Sequence, residues 1–140
     1  MIYAVIDTNV LVSALLSHRD DAATVQVITA VLEGRIVPLW HRDILEEYRE
    51  VLARPKFRFR HADVEALVSA FQCAGREVEP APTGVMLPDM DDLIFYEVVM
   101  EKRADNARLV TGNLKHYPAR EFIVTPAEMM EILENEADSH

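Results

Sequence analysis

Cysteine is almost absent: Cys73 is the only one among 140 residues. A single thiol closes no internal disulfide, so a reducing cytoplasm is the expected compartment. No apolar run is long enough to span a bilayer, and no basic segment leads into a signal-type apolar stretch. Positive charge is scarce. There are 14 Lys and Arg against 24 Asp and Glu, for a net charge of −10 at pH 7. Such a chain is no ready electrostatic partner for nucleic acid or an anionic membrane. If it acts on nucleic acid, part of the acid must be neutralised, most simply by bound metal ions. A Cys/His set at zinc spacing, a P-loop and a G-x-S-x-G string are all missing. His41, His61 and His116 are isolated and read as surface or capping residues. No repeat, low-complexity segment or linker divides the chain.

What is present is hydrophobic residue, at 50% of the total, enough for a core. The length fits one domain over residues 1–135, with a flexible tail over 136–140. Ile2–Ile6 reads as a buried strand, and Val10–Leu16 and Ala22–Leu32 as helices. "RIVPLW" reads as a second strand. Asp43–Ala53 follows as a helix stopped before Pro55, and Ala62–Ala74 as one stopped by Gly75. "EVEP" is a short strand and "APTGVMLPD" a loop. Asp91–Lys102, apolar nearly all round, is a buried helix. "ARLVTGN" and "EFIVTP" are strands, and Thr125 caps a last helix with Pro126 in its first turn. Short, continuously apolar strands alternating with helices predict a three-layer α/β/α sandwich around a mainly parallel sheet. Sites in such sheets lie beyond the carboxyl ends of the strands. Asp7 and Asn113 each stand just past a strand.

Four places set acid or amide groups next to predicted core, the last being the turn "TGN" that ends in Asn113. Asp7 ends the first strand. A turn residue or helix N-cap is the ordinary explanation, but Thr8 or Asn9 could cap equally well and free Asp7. In "DILEEYREVL", at about 100° per residue, Ile44, Leu45, Tyr48, Val51 and Leu52 form an apolar arc. Glu47 lies beside that arc, whereas Glu46 and Glu50 fall on the solvated side. In "PDMDDLIF", Asp89, Asp91 and Asp92 crowd together. A helix N-terminus accounts for one or two of them; adjacent like charges otherwise raise each other's pKa, and a divalent cation relieves this. Asp92 shares a face with Phe95, Tyr96 and Val99. Asp7, Glu47 and Asp92 together would suit Mg²⁺ or Mn²⁺, which take oxygen ligands.

The strings "VIDTNVLVSALLS", "DILEEYREVLARPKF", "PDMDDLIFYEVVMEK", "LVTGN" and "FIVTPAEMMEIL", in this order, resemble the PIN-domain family, and more narrowly its branch of type II toxin–antitoxin toxins. The resemblance runs from Met1 to about Leu133. It implies a metal-dependent ribonuclease, with Asp7, Glu47, Asp92 and Asn113 at the catalytic positions and Asp7, Asp92, Glu47 and Asp89 at the metal. Asn113 departs from the pattern, because many members carry Asp there. An amide oxygen still coordinates a hard cation or holds a ligated water, but without charge. The implied reaction is hydrolysis of RNA phosphodiester bonds to a 3′-hydroxyl and a 5′-phosphate. Thr8, Asn9, Thr111, Lys115 and Arg58 are the expected substrate contacts, and His116 is a further candidate. "RPKFRFRH" is the densest positive stretch, and its Phe57 and Phe59 either stack on bases or pack in the core or at a dimer contact. RNA, a cognate antitoxin and a second copy of the chain are the implied partners, with no membrane. Rival readings are a PIN-like module acting through protein contacts alone, a receiver-like phosphoacceptor domain, and an acidic scaffold.

Overall fold

Four residues, Tyr3–Ile6, form β1 at the centre of a five-stranded sheet. Ala4, Val5 and Ile6 are fully buried, as a strand covered on both faces must be, and its sequence is accordingly apolar without alternation. The computed structural model describes residues 1–138. The other strands are β2 (Val37–Trp40), β3 (Arg76–Glu77), β4 (Arg108–Val110) and β5 (Ile123–Val124). All pairings are parallel, in the order β3-β2-β1-β4-β5. Around them lie helices α1 (Thr8–Leu16), α2 (Ala23–Leu32), α3 (Arg42–Leu52), α4 (His61–Ala74), α5 (Leu93–Glu101) and α6 (Pro126–Asp138). This is the α/β sandwich that the alternation of strands and helices predicts.

The strand order positions the site. The chain lays β2 and β3 on one side of β1, then returns across it to place β4 and β5 on the other. A crevice opens at the carboxyl ends of the strands where the order reverses, here β1 and β4. Their register pairs Ile6 with Val110, and the Asp7 N–H donates to the Val110 carbonyl at 2.9 Å. Asp7 therefore emerges beside Thr111, although 104 positions separate them in the chain.

Aromatic packing fixes the helices that frame this end. Tyr48 of α3 meets Phe71 of α4 edge to face at 5.8 Å and Phe95 of α5 at 6.1 Å. Its hydroxyl donates to the Ile6 carbonyl, which ties α3 to the last residue of β1. The buried face of α5 is Phe95, Tyr96, Val98 and Val99, set against β1, β2 and β4.

Local departures have local causes. The strand expected at "EVEP", Glu77–Pro80, lies earlier, over Arg76–Glu77, and shares only Glu77 with that span. It begins right after Gly75, where a Cβ would lie 2.0 Å from the Pro38 carbonyl oxygen, so only glycine lets the chain pass β2 this closely. The helix expected from Asp91 starts as a 3₁₀ turn over Met90–Asp92 before α5. The α6 cap is reciprocal: the Glu128 N–H donates to Thr125 Oγ1 at 3.2 Å and the Thr125 N–H to Glu128 Oε1 at 2.9 Å. Of the expected tail, residues 136–140, the chain is helical as far as Asp138, and Ser139 and His140 lie outside the described residues. Among the described residues, no helix is long and apolar enough to cross a membrane.

Candidate active site

Asp7 occupies the N-cap position of α1, yet its carboxylate makes no capping bond. Thr8 and Asn9 do not cap either; they are already the first residues of the helix, because the chain turns helical directly after the sheet. The Asp7 carboxylate instead points to β4 and the turn beyond it. Thr111 Oγ1 donates to Asp7 Oδ2 at 2.9 Å, and the Tyr117 hydroxyl donates to the same oxygen at 2.8 Å. Asp7 is 3% exposed. Burial raises its pKa, against the opposing pull of the Tyr117 and Thr111 hydroxyls.

Thr111 is the hub of this corner. Besides donating to Asp7, its oxygen accepts from Asn9 Nδ2 at 3.3 Å and from the Asn113 N–H at 3.0 Å. Asn9 Oδ1 in turn accepts the Gly112 N–H at 2.8 Å. The start of α1 and the turn after β4 are thus stitched together at the acid. Thr8 Oγ1 is buried beside it with no hydrogen-bond partner.

On α3, Glu47 is half-buried and turned to the crevice, while Glu46 and Glu50 are exposed. Tyr48, the next residue, orients the helix through its bond to Ile6. Partial burial raises the Glu47 pKa, with the charges of Glu50 and Asp91 adding to it. Asp92 stands at the start of α5 with its side chain 15% exposed and no cap bond of its own. Its Oδ2 lies 3.1 Å from His116 Nδ1. Burial pushes its pKa up to about 6, helped by the charges of Asp7 and Asp89 and opposed by His116.

These groups line one cleft of about 300 Å³: Asp7, Thr8, Asn9, Ser13, Glu47, Asp92, Asn113 and His116 form its polar part, and Val12, Val51 and Phe57 its apolar part. Larger hollows of about 580 and 410 Å³ lie elsewhere and gather no such set of acids. Other expected site residues stand apart. Asp89 is exposed, and its carboxylate accepts the Asp91 N–H at 3.0 Å as the cap of the 3₁₀ turn. Lys115 lines the neighbouring 580 Å³ hollow with Arg120, not the acid cleft. Arg58 is exposed and not part of the cleft wall; the neighbouring Phe57 is.

Two residues of the site have roles that sequence reasoning misses. His116, expected at the surface or on a phosphate, partners Asp92. Tyr117, with no role expected, holds Asp7. The one sequence signal available was a tyrosine directly following the turn after β4; its target, 110 positions upstream, is set only by folding.

Among the described residues, no group of three or more His, Cys, Asp or Glu side chains stands close enough to enclose a metal ion unaided. The donors facing the cleft are nevertheless nearly all oxygen: two costly carboxylates, a half-buried glutamate, an amide and an orphaned hydroxyl. That set fits a hard divalent ion held by one or two carboxylates with water completing its sphere. No curated protein and no solved structure matches the chain. The sequence profile of the PIN domain matches residues 3–115, a stretch that holds β1, β4 and every acid of the cleft. PIN domains are generally nucleases and typically use divalent metals, and the chain, matched over most of its length with these acids at the carboxyl ends of its strands, belongs to the PIN-domain family.

Proposed function

We propose that the chain is an endoribonuclease that hydrolyses RNA phosphodiester bonds with Mg²⁺ or Mn²⁺, acting in the cytoplasm as the toxin of a toxin–antitoxin system. One observation carries this reading. Asp7, Glu47 and Asp92 share a single cleft in which burial makes every one of them costly to ionise, and neighbouring carboxylates add to that cost at Glu47 and Asp92. A protein maintains such an arrangement against its own stability where a cation or a reaction uses it.

Asp7, Glu47 and Asp92 would hold the ion, with Asp89 supporting from the rim. When bound, the ion supplies positive charge to the phosphate and Lewis acidity toward water. The chain's own residues do the rest. Thr111 and Tyr117 fix Asp7 Oδ2, so that the carboxylate keeps one orientation. His116 does the same for Asp92. Asn113 offers a neutral amide at the cleft, able to donate to a phosphate oxygen where an aspartate would repel it. The backbone N–H of Asn9, in the first turn of α1, favours a phosphate beside it. Lys115 meets the substrate backbone outside the cleft.

Protein partners, a cognate antitoxin and a second copy, belong to this reading through the resemblance to the toxin branch. Exposed Leu15, Leu16 and Leu32, beside an apolar hollow between α1, α2 and α4, supply surface for such contacts. A second reading, a catalytically weak module acting only through those contacts, draws on Asn113, which removes one negative charge from the cleft. Purified protein incubated with RNA in Mn²⁺, Mg²⁺ or EDTA separates the two. Cleavage that requires metal and disappears in Asp7→Asn and Asp92→Asn supports the nuclease. Intact RNA under all conditions leaves the module.

A further inference from the structure

We infer that Phe57, braced by Phe59, is a stacking platform for one unpaired base of single-stranded RNA at the mouth of the acid cleft. The inference rests on the ribonuclease reading and adds a residue that would touch the substrate.

Phe57 lines the same cleft as Asp7, Glu47 and Asp92. Its ring lies parallel to that of Phe59, with centroids 5.4 Å apart and planes 14° from each other. The two rings have different roles. Phe59 packs against the hydrophobic core; Phe57 is half-buried and is not among the residues that do. An aromatic side chain held at a cleft by another ring, and absent from the core, offers a flat apolar face to whatever enters.

The backbone maintains this arrangement at some cost. Phe57 ends a 3₁₀ turn over Pro55–Phe57, and Arg58 follows in the left-handed region at φ 58°, which a residue with a Cβ disfavours. The turn sets the rings closer than the about 6.6 Å between same-side positions of an extended strand.

Basic residues adjoin the platform along the chain, on the segment that meets the wall of the acid cleft. Lys56 and Arg58 are exposed, and among the described residues neither forms an ion pair; Arg54 is exposed with its charge acting on Glu47, and Arg60 pairs with Asp63 at 3.2 Å. Lys56 Nζ rests 5.1 Å from the Phe57 centroid. On its flexible stem it yields that position to a base and is then free for the adjoining phosphate. Aromatic faces interleaved with unpaired cations are the elements that bind single strands without sequence preference. In a duplex both faces of each base are covered by its neighbours, so this platform selects unpaired RNA.

The test uses the full chain carrying Asp7→Asn, so that RNA is not consumed, and fluorescence anisotropy with a labelled, unstructured RNA oligonucleotide in Mn²⁺. Adding Phe57→Ala weakens binding by about tenfold, the loss of one base–aromatic stack. Phe57→Leu, which keeps the apolar bulk without the ring, weakens it similarly, and Phe57→Trp restores it. The slope of log affinity against log salt stays unchanged in all three, because no cation is removed; Lys56→Gln lowers that slope. A duplex of the same sequence binds more weakly than the single strand and is indifferent to Phe57→Ala. Equal single-strand binding with and without the Phe57→Ala and Phe57→Leu substitutions overturns the platform while leaving the nuclease reading intact. Failure of the Asp7→Asn protein to bind any RNA, with no cleavage by the unmodified chain, overturns both.

Discussion

Replacing Tyr117 by phenylalanine tests the electrostatics of the cleft without disturbing its packing. The ring is 6% exposed and its hydroxyl donates to the buried oxygen of Asp7 at 2.8 Å. Phenylalanine keeps the volume and deletes only the donor. A hydrogen bond to a charged group contributes about 1.5–3 kcal/mol, so a loss near 2 kcal/mol is expected at pH 7.5. For a 140-residue domain this corresponds to a fall in Tm of about 7 °C. The loss depends on pH in a definite direction. Tyr117 opposes the burial-driven rise of the Asp7 pKa, so removing it raises that pKa further. The cost is then full where Asp7 is ionised in both proteins and shrinks as pH falls through the folded-state pKa. Urea denaturation of both proteins in EDTA, from pH 8 to pH 5, measures it. In an Asp7→Asn background the same substitution costs about 1 kcal/mol less, since the acceptor is then neutral. A cost below about 0.5 kcal/mol that is flat across pH would refute the claim that this hydroxyl holds a charged carboxylate.

Three further outcomes are expected. Without metal the protein gains stability on acidification: the Asp92 pKa of about 6 lies above its unfolded value, so the folded state binds the extra proton as pH falls from about 7 toward 4. The gain is about 1–2 kcal/mol after allowing for solvent screening, and thermal melts in EDTA at stepped pH read it; a decline over this range contradicts the burial and repulsion argued for Asp92. Asp7→Asn raises Tm in EDTA by a few degrees, because it removes a buried charge, yet abolishes the rise in Tm that Mn²⁺ gives the unmodified chain. A mutant that is both less stable in EDTA and still stabilised by Mn²⁺ would show that Asp7 is structural. Gly75→Ala costs about 2–4 kcal/mol, since its Cβ meets the Pro38 carbonyl and β2 and β3 must separate; an unchanged urea midpoint would mean that the backbone yields there freely.

Features that depend on neighbours along the chain were legible before any fold was known. Continuous apolar runs revealed the strands because a doubly covered sheet has no polar face to alternate with. The helical stripe separated Glu47 from Glu46, since about 100° per residue leaves only one of two adjacent glutamates beside an apolar arc. Thr125, just before Pro126 and an apolar helical stripe, announced the cap; the return bond from Glu128 appeared only in the folded chain. Features that depend on partners distant in the chain waited for the folded molecule. Asp7 is spared capping work because the parallel register of β1 and β4 delivers Thr111 and Tyr117 to its carboxylate. His116 reaches Asp92, and Phe57 reaches the cleft, through 3₁₀ turns whose short lengths carry no periodic signal. Periodicity records which way a side chain faces; only the assembled sheet, by bringing strand ends side by side, records what it meets there.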